Sequence, residues 1–274
     1  MNTFESPKYG LWDRYDENCG FYDCCLTATS KAERKWKTPP SPRNREEWLG
    51  AGWDIVCIAT PDNSHAKDLS DVLNHSPRAI LVEKPLTQED RIGQKLLRKA
   101  GKLGIPVLVD FPRRWHKGVG EAGRMLDKGD LGRVLKIQAT FSGDLRHNGI
   151  HALDLVAQWC SPVRATRKLH AINNGTILEL RAASGPIILQ INQTVLTDSY
   201  QFEVSVECEF GRITMASIPE QMTVECVRPH EHFGGFNALQ LDKTWVMDDE
   251  PLLLNAIKYL GGLIGKPAAI RAQL

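Results

Sequence analysis

The chain has 274 residues, with 34 Lys and Arg against 33 Asp and Glu, giving a formal net charge of +1. That length suits two domains of ordinary size, and interspersed charges leave no field of one sign for nucleic acid or an anionic membrane surface. No apolar run approaches the ~20 residues of a membrane-spanning helix, and Met1–Pro7 lacks the basic-then-apolar pattern of a signal peptide.

In chain order, Phe21 to Thr29 reads as a strand, and Lys37-Thr38-Pro39-Pro40-Ser41-Pro42 as a loop because its prolines break helix and central strand alike. Asn44 to Leu49 is a short helix before a strand over 54–60. Ser64 to Asn74 follows as a crossover helix with Ala66, Leu69, Val72 and Leu73 on one face, then a strand over 79–83. Gln88 to Leu103 is a helix with Ile92, Leu96, Leu97 and Ala100 at helical spacing, and Pro106 to Phe111 a last strand. This alternation predicts a parallel sheet with helices on both faces over residues 1–115.

Residues 116–274 follow another pattern. Val134 to Phe141, Thr176 to Ala182, Ile187 to Val195, Phe202 to Phe210, Arg212 to Ala216 and Met222 to Val227 are successive strands on short turns. They predict an open, mainly antiparallel sheet in an α+β domain. One helix, from about Gly149 to Cys160, interrupts them, and another, Pro251 to Ile264, closes the chain. The alternation of Gln201 to Glu207 gives that sheet one polar face. Seven cysteines without a Cys-x-x-Cys suit a reducing cytoplasm. Cys57, in mid-strand, reads as a small core residue, and the neighbours Cys24 and Cys25 point to opposite strand faces.

The richest stretch is Asp54-Ile55-Val56-Cys57-Ile58-Ala59-Thr60-Pro61-Asp62-Asn63-Ser64-His65, followed by Ile80-Leu81-Val82-Glu83-Lys84-Pro85. Each half is a short β-branched run that stops at polar residues and a proline, as a buried parallel strand does where it opens into a ligand crevice. Lys84 comes at the tip of the second strand, before a Pro85 bond that can be cis. Alone, it is either a solvated loop lysine paired with Glu83 or an ammonium placed to stabilise an alkoxide. His151 and Asp154 lie on the 149–160 helix with His147 just before it, at spacings of four and three that can share a face. Asp154 either holds the His151 ring or serves the packing of its helix. His-x-x-x-His with Asp144 and Asp154 also has zinc-ligand spacing, although Asn148 stands where a zinc hydrolase needs glutamate and Gly149 weakens the helix.

These pieces resemble the glucose–fructose oxidoreductase, inositol dehydrogenase and MocA family of nicotinamide-dependent sugar oxidoreductases. The match runs from Asp54-x-Val56-x-Ile58-Ala59-Thr60-Pro61-x-x-x-His65 and Val82-Glu83-Lys84-Pro85 to Val109-Asp110-Phe111-Pro112-Arg113-Arg114-Trp115. Gly129-Asp130-Leu131-Gly132 and Gly149-Ile150-His151-Ala152-Leu153-Asp154 follow in family order, so the likeness spans roughly 45 to 265. It implies that Lys84 and His151 are catalytic, His151 taking the hydroxyl proton while hydride passes to the nicotinamide. It places His147, Asp154 and Arg114 on the substrate, although the family usually has aspartate where this chain has His147. It places Thr60, Pro61, His65, Glu83, Lys84, Pro85 and Arg113 on the cofactor, NAD or NADP. No carboxylate ends Phe21 to Thr29, a weak lean toward NADP.

The family opens on a strand and a Gly-x-Gly-x-x-Gly turn whose amides hold the dinucleotide pyrophosphate. No such turn opens this chain: Gly10 and Gly20 stand ten residues apart, and Phe21 to Thr29 resembles the family's second strand. The first β-α unit of a Rossmann-like sheet is thus expected to be degenerate or absent. The leading expectation is a cytoplasmic NAD(P)-dependent dehydrogenase of a sugar, nucleotide sugar or cyclic polyol, a homo-dimer or homo-tetramer through its open sheet. The alternatives are a cofactor-deficient relative that binds a sugar or a partner subunit, or an incomplete reading frame, and a metal hydrolase using His147 and His151.

Overall fold

The computed structural model describes residues 45–160, 162–172, 175–182, 185–194, 200–217, 220–246 and 251–266. The expected strand at Phe21 to Thr29, the proline loop before residue 45, and Cys19, Cys24 and Cys25 lie outside the described residues. Contacts divide the chain into two units, one running to Asp110 and resuming at Leu253, the other Phe111–Leu252.

The first unit alternates helix and strand: α1 (Arg45–Leu49), β1 (Ile55–Ile58), α2 (His65–Asn74), β2 (Ala79–Glu83), α3 (Asp90–Leu103) and β3 (Val107–Asp110). The strands form a parallel sheet in the order β1-β2-β3, with Ile55 beside Ala79 and Glu83 beside Asp110. Side chains alternate across each strand. Val56, Ile58, Ile80 and Val82 therefore meet Leu49 of α1, Leu69, Val72 and Leu73 of α2, and Leu96 and Ala100 of α3 in one cluster. The second layer of helices expected on the other face is not formed by α1–α3. Cys57 is exposed, against its reading as a core residue, because Val56 and Ile58 take the face that carries the cluster. Ile92 is likewise exposed, and Gly93, Leu96 and Ala100 form the buried stripe of α3. Gly104 ends α3 in the left-handed region (φ 70°), where glycine lacks the Cβ penalty.

The second unit begins with a 3₁₀ turn (Pro112–Trp115) and helix α4 (Lys117–Lys128), then β4 (Val134–Phe141). A π turn (Leu145–Gly149) leads into α5 (Ile150–Cys160). Seven strands follow: β5 (Arg164–Ile172), β6 (Gly175–Ala182), β7 (Gly185–Gln193), β8 (Phe202–Cys208), β9 (Gly211–Ser217), β10 (Glu220–Pro229) and β11 (Asn237–Val246). They make one open eight-stranded sheet with β4, in the order β11-β10-β9-β8-β4-β7-β6-β5. All neighbours are antiparallel except β4 and β7, which pair in parallel. Val119 and Ala122 of α4 and Leu155, Val156 and Trp159 of α5 pack against Ile137, Phe141, Ile187, Leu189, Phe202, Val204 and Val206. Glu203, Ser205 and Glu207 alternate to the other face, which is polar there, as the sequence indicates. Helix α6 (Leu252–Leu263) belongs with the first unit from Leu253 onward. Among the described residues no helix is long and apolar enough to cross a membrane.

Candidate functional site

Two groups of chemically able side chains stand out, one in each unit. In the first, the carboxyl ends of β1 and β2 are tied together by α2. Thr60 and Pro61 are exposed at the end of β1. His65, at the start of α2, is fully buried, with Nδ1 2.7 Å from the Pro85 carbonyl oxygen and Nε2 2.7 Å from that of Thr60. The imidazole therefore ties the two strand ends together. The bond from Lys84 to Pro85 is cis, as the sequence allows. Glu83 and Lys84 are half-buried, and the Lys84 backbone N–H donates to Glu83 Oε2 at 3.2 Å.

One turn into α2, Asp68 anchors the same corner. Its carboxylate accepts from the Thr60 hydroxyl at 2.6 Å and from the Arg45 guanidinium at 2.6 Å, with the Ser64 hydroxyl 2.8 Å away. Burial pushes this carboxyl up, but the hydrogen bonds from Thr60, Arg45 and Ser64 outweigh it and hold it below the usual range. Arg45 also reaches Asp71 at 2.9 Å, so this network holds Thr60 through Asp68. Arg45 and Asp68 are 23 residues apart, and no sequence pattern joins them.

In the second unit, Arg113 and Arg114 leave the 3₁₀ turn toward different partners. Arg113 Nε lies 2.6 Å from Glu220, its terminal nitrogen donates to the Tyr200 hydroxyl at 3.0 Å, and its guanidinium stacks 4.3 Å from the Phe202 ring centroid. Arg114 grips both oxygens of Asp154 on α5, Nε donating to Oδ2 at 3.2 Å and a terminal nitrogen to Oδ1. Burial pushes the Asp154 carboxyl up, and Arg114 opposes the rise. Asp154 thus has a long-range partner, 40 residues away in sequence. The His151 ring, half-buried in the first turn of α5, meets Phe111 edge-on with centroids 5.7 Å apart.

His147 is exposed in the π turn, where its backbone N–H donates to Asp144 Oδ1 at 2.6 Å. Asn148 closes the turn by donating from Nδ2 to the Ser142 carbonyl at 2.6 Å. Gly149 is required there by space. A Cβ would lie 2.5 Å from the Phe141 ring and 2.7 Å from Leu145 Cδ1, and Phe141 is fully buried. Gly149→Ala is expected to cost about 1–3 kcal/mol by overpacking, read as a lower urea midpoint at unchanged m-value. An unshifted midpoint would show that the ring can move aside.

Zinc ligation from one helical face does not form. Asp144 is turned to the amide of His147 and Asp154 to Arg114, and among the described residues no three His, Cys, Asp or Glu side chains converge. A Gly-x-Gly-x-x-Gly does occur, at Gly118-Val119-Gly120-Glu121-Ala122-Gly123, but it lies inside α4 and forms no strand-to-helix turn. The Gly118 amide is already taken by His116 Nδ1 at 3.0 Å, and a Cβ at Gly118 would meet Trp245 at 2.7 Å. Gly118 and Gly123 lie against Trp245 and Trp159, whereas a Cβ at Gly120 would meet nothing within 4 Å.

Comparison with known proteins places this geometry in context. Residues 20–111 match the model of an oxidoreductase family with an NAD-binding Rossmann fold. Inositol 2-dehydrogenase 1 of Mycolicibacterium vanbaalenii is 33% identical over 112 residues, covering 39% of this chain and 32% of that protein. The scyllo-inositol 2-dehydrogenase (NAD(+)) of Bacillus subtilis is 30% identical over 101 residues, covering 37% and 28%. The matched stretch thus spans about a third of the length of these relatives. In fold, levoglucosan dehydrogenase in complex with NADH is similar at a TM-score of 0.67 and 14% identity, covering 90% of this chain and 79% of that one.

Proposed function

Because the chain belongs to the glucose–fructose oxidoreductase, inositol dehydrogenase and MocA family of oxidoreductases with an NAD-binding Rossmann fold, we propose that it oxidises a ring carbinol of a cyclic polyol, sugar or nucleotide sugar. The observation that carries this reading is the way Lys84 is held. It stands at the end of β2, its amide on Glu83, with the next carbonyl, that of Pro85, against the enclosed His65 ring. A backbone held in this way at a strand tip suits a side chain that must present charge at a fixed point.

In this reading Lys84 hydrogen-bonds the substrate oxygen and stabilises the negative charge that develops there, and His151 accepts the hydroxyl proton. When bound, the nicotinamide supplies the acceptor for hydride. Thr60, Pro61, Glu83 and Pro85 border it, and His65 contributes by holding the strand ends. The exposed Thr60 and Pro61 and the half-buried Glu83 suit a ribose and an amide ring. A pyrophosphate-holding glycine turn is not among the described residues. Arg114 and Asp154 hold α5 and, with His147, border the polyol hydroxyls. Arg113 joins the cofactor side through the part of its guanidinium that Glu220 and Tyr200 leave open. NAD is proposed over NADP: the lean toward NADP finds no support among the relatives, one of which is named for NAD(+) and one of whose structural counterparts carries NADH. A homo-oligomer through the open sheet is part of the proposal, supported by Leu239 and Leu241, exposed on the edge strand β11.

The test is direct. The purified chain is incubated with NAD or NADP and a panel of inositols, levoglucosan and other sugars, and reduced nicotinamide is followed by absorbance. Turnover with NAD supports the reading, and no turnover with any of them, at cofactor concentrations up to millimolar, overturns it. A second reading is a relative that binds a sugar or partner subunit without cofactor. It predicts sugar binding that is indifferent to NADH.

A further inference from the structure

Asp110 is the last residue of β3, beside Glu83 in the parallel register, and the two side chains share a face of the sheet. It is 6% exposed, and its Oδ1 is fully buried with no hydrogen-bond partner among the described residues. A buried carboxyl oxygen left unmatched is costly unless it carries a proton it can share. Glu83 is the neighbour whose charge acts on it, and Glu83 in turn holds the Lys84 amide at 3.2 Å. Neither the family resemblance nor the spacing of the motifs assigns Asp110 a role.

We propose that Asp110 is a positioning residue for Lys84: it shares one proton with Glu83, and that proton keeps the Glu83 carboxylate on the Lys84 amide. In the protonated form the Asp110 hydroxyl donates to the Glu83 carboxylate. When that proton passes to water, two like charges face each other at the strand ends, and Glu83 is driven off the amide. Burial first, and the Glu83 charge second, push the Asp110 carboxyl up to about 6, so the change falls near neutral pH. The positioning role rests on the reading of Lys84 as the group at the substrate oxygen, whereas the shared proton does not.

The experiment therefore has two arms. In the first, the whole chain is titrated from pH 4 to 8 while the infrared C=O stretch of protonated carboxylic acids is followed. One acid is expected to titrate with a midpoint of about 6; it should vanish in Asp110→Asn and move toward the ordinary range in Glu83→Gln. A signal unchanged in Asp110→Asn, or a midpoint unmoved in Glu83→Gln, overturns the shared proton. In the second arm, kcat/KM is measured against pH for the wild type and Asp110→Asn. Asparagine keeps a donor toward Glu83 and cannot ionise, so kcat/KM should rise at least about threefold at pH 8 and stay the same at pH 5. Equal profiles overturn the positioning role. An inert wild type would remove that role together with the proposed reaction, while the infrared arm still decides the proton.

Discussion

Replacing Lys84 with alanine is expected to lower kcat by about a thousandfold or more while leaving NADH affinity within about tenfold. The lysine is half-buried at the end of β2, between a residue whose carboxylate takes its amide and a proline whose carbonyl meets His65. Truncating the side chain removes an ammonium and leaves in place the hydrogen bonds made by the Lys84 amide and the Pro85 carbonyl. The loss should thus appear in turnover and spare the fold. Two measurements check it: steady-state kinetics with the polyol that turns over, and a fluorescence titration with NADH. Turnover within threefold of the wild type would show that Lys84 is a solvated loop residue after all.

Arg114→Met is expected to be the most destabilising single change in the second unit, by about 3 kcal/mol at pH 7. Asp154 has a side chain only 6% exposed, and Arg114 supplies donors to both of its oxygens. Removing the guanidinium leaves a buried carboxylate without its cation. The pH dependence follows from the direction of the shift. Burial already raises the Asp154 carboxyl above its unfolded value and Arg114 opposes that rise, so without Arg114 it climbs further. A group raised in the folded state binds its proton more tightly there. The penalty relative to wild type is therefore absent in acid, where Asp154 is protonated in both proteins, and grows as pH rises toward neutrality. Urea midpoints at pH 4 and pH 7 measure this, and adding Asp154→Asn to Arg114→Met should recover part of the loss at pH 7. Because Asp154 lies three residues after His151 on α5, the same variant should also depress turnover.

What could be read from the sequence divides along physical lines. The strands β1 and β2 and the helices α2 and α5 announce themselves by apolar period, and the Lys84-Pro85 pair by its place at a strand tip. Helix α4 escaped because Gly118, Gly120 and Gly123 give it poor helix propensity, and packing of Val119 and Ala122 on the core overrides that weakness. Strand β5 escaped because Arg164, Arg167 and Lys168 on an edge strand erase the apolar alternation, and β11, the other edge, is half exposed along its length. The parallel pairing of β4 with β7 is invisible to any local pattern. At the site, residue types and spacing indicated which side chains can do chemistry. They could not show that Asp154 is answered by Arg114, Arg113 by Glu220, or Thr60 by Asp68, since those partners meet only after folding. Asp110 went unremarked for the same reason: its significance lies in its neighbour across the sheet.

Tracing the hydrogen on the reacting carbon tests the central claim most directly. The polyol that turns over is supplied with deuterium at its ring carbinol carbons, and the nicotinamide product is examined by mass spectrometry. The account predicts one deuterium on the reduced nicotinamide, formed by the wild type and lost with both Lys84→Ala and His151→Asn. Deuterium recovered only in water, or label transfer that persists in both variants, would contradict it.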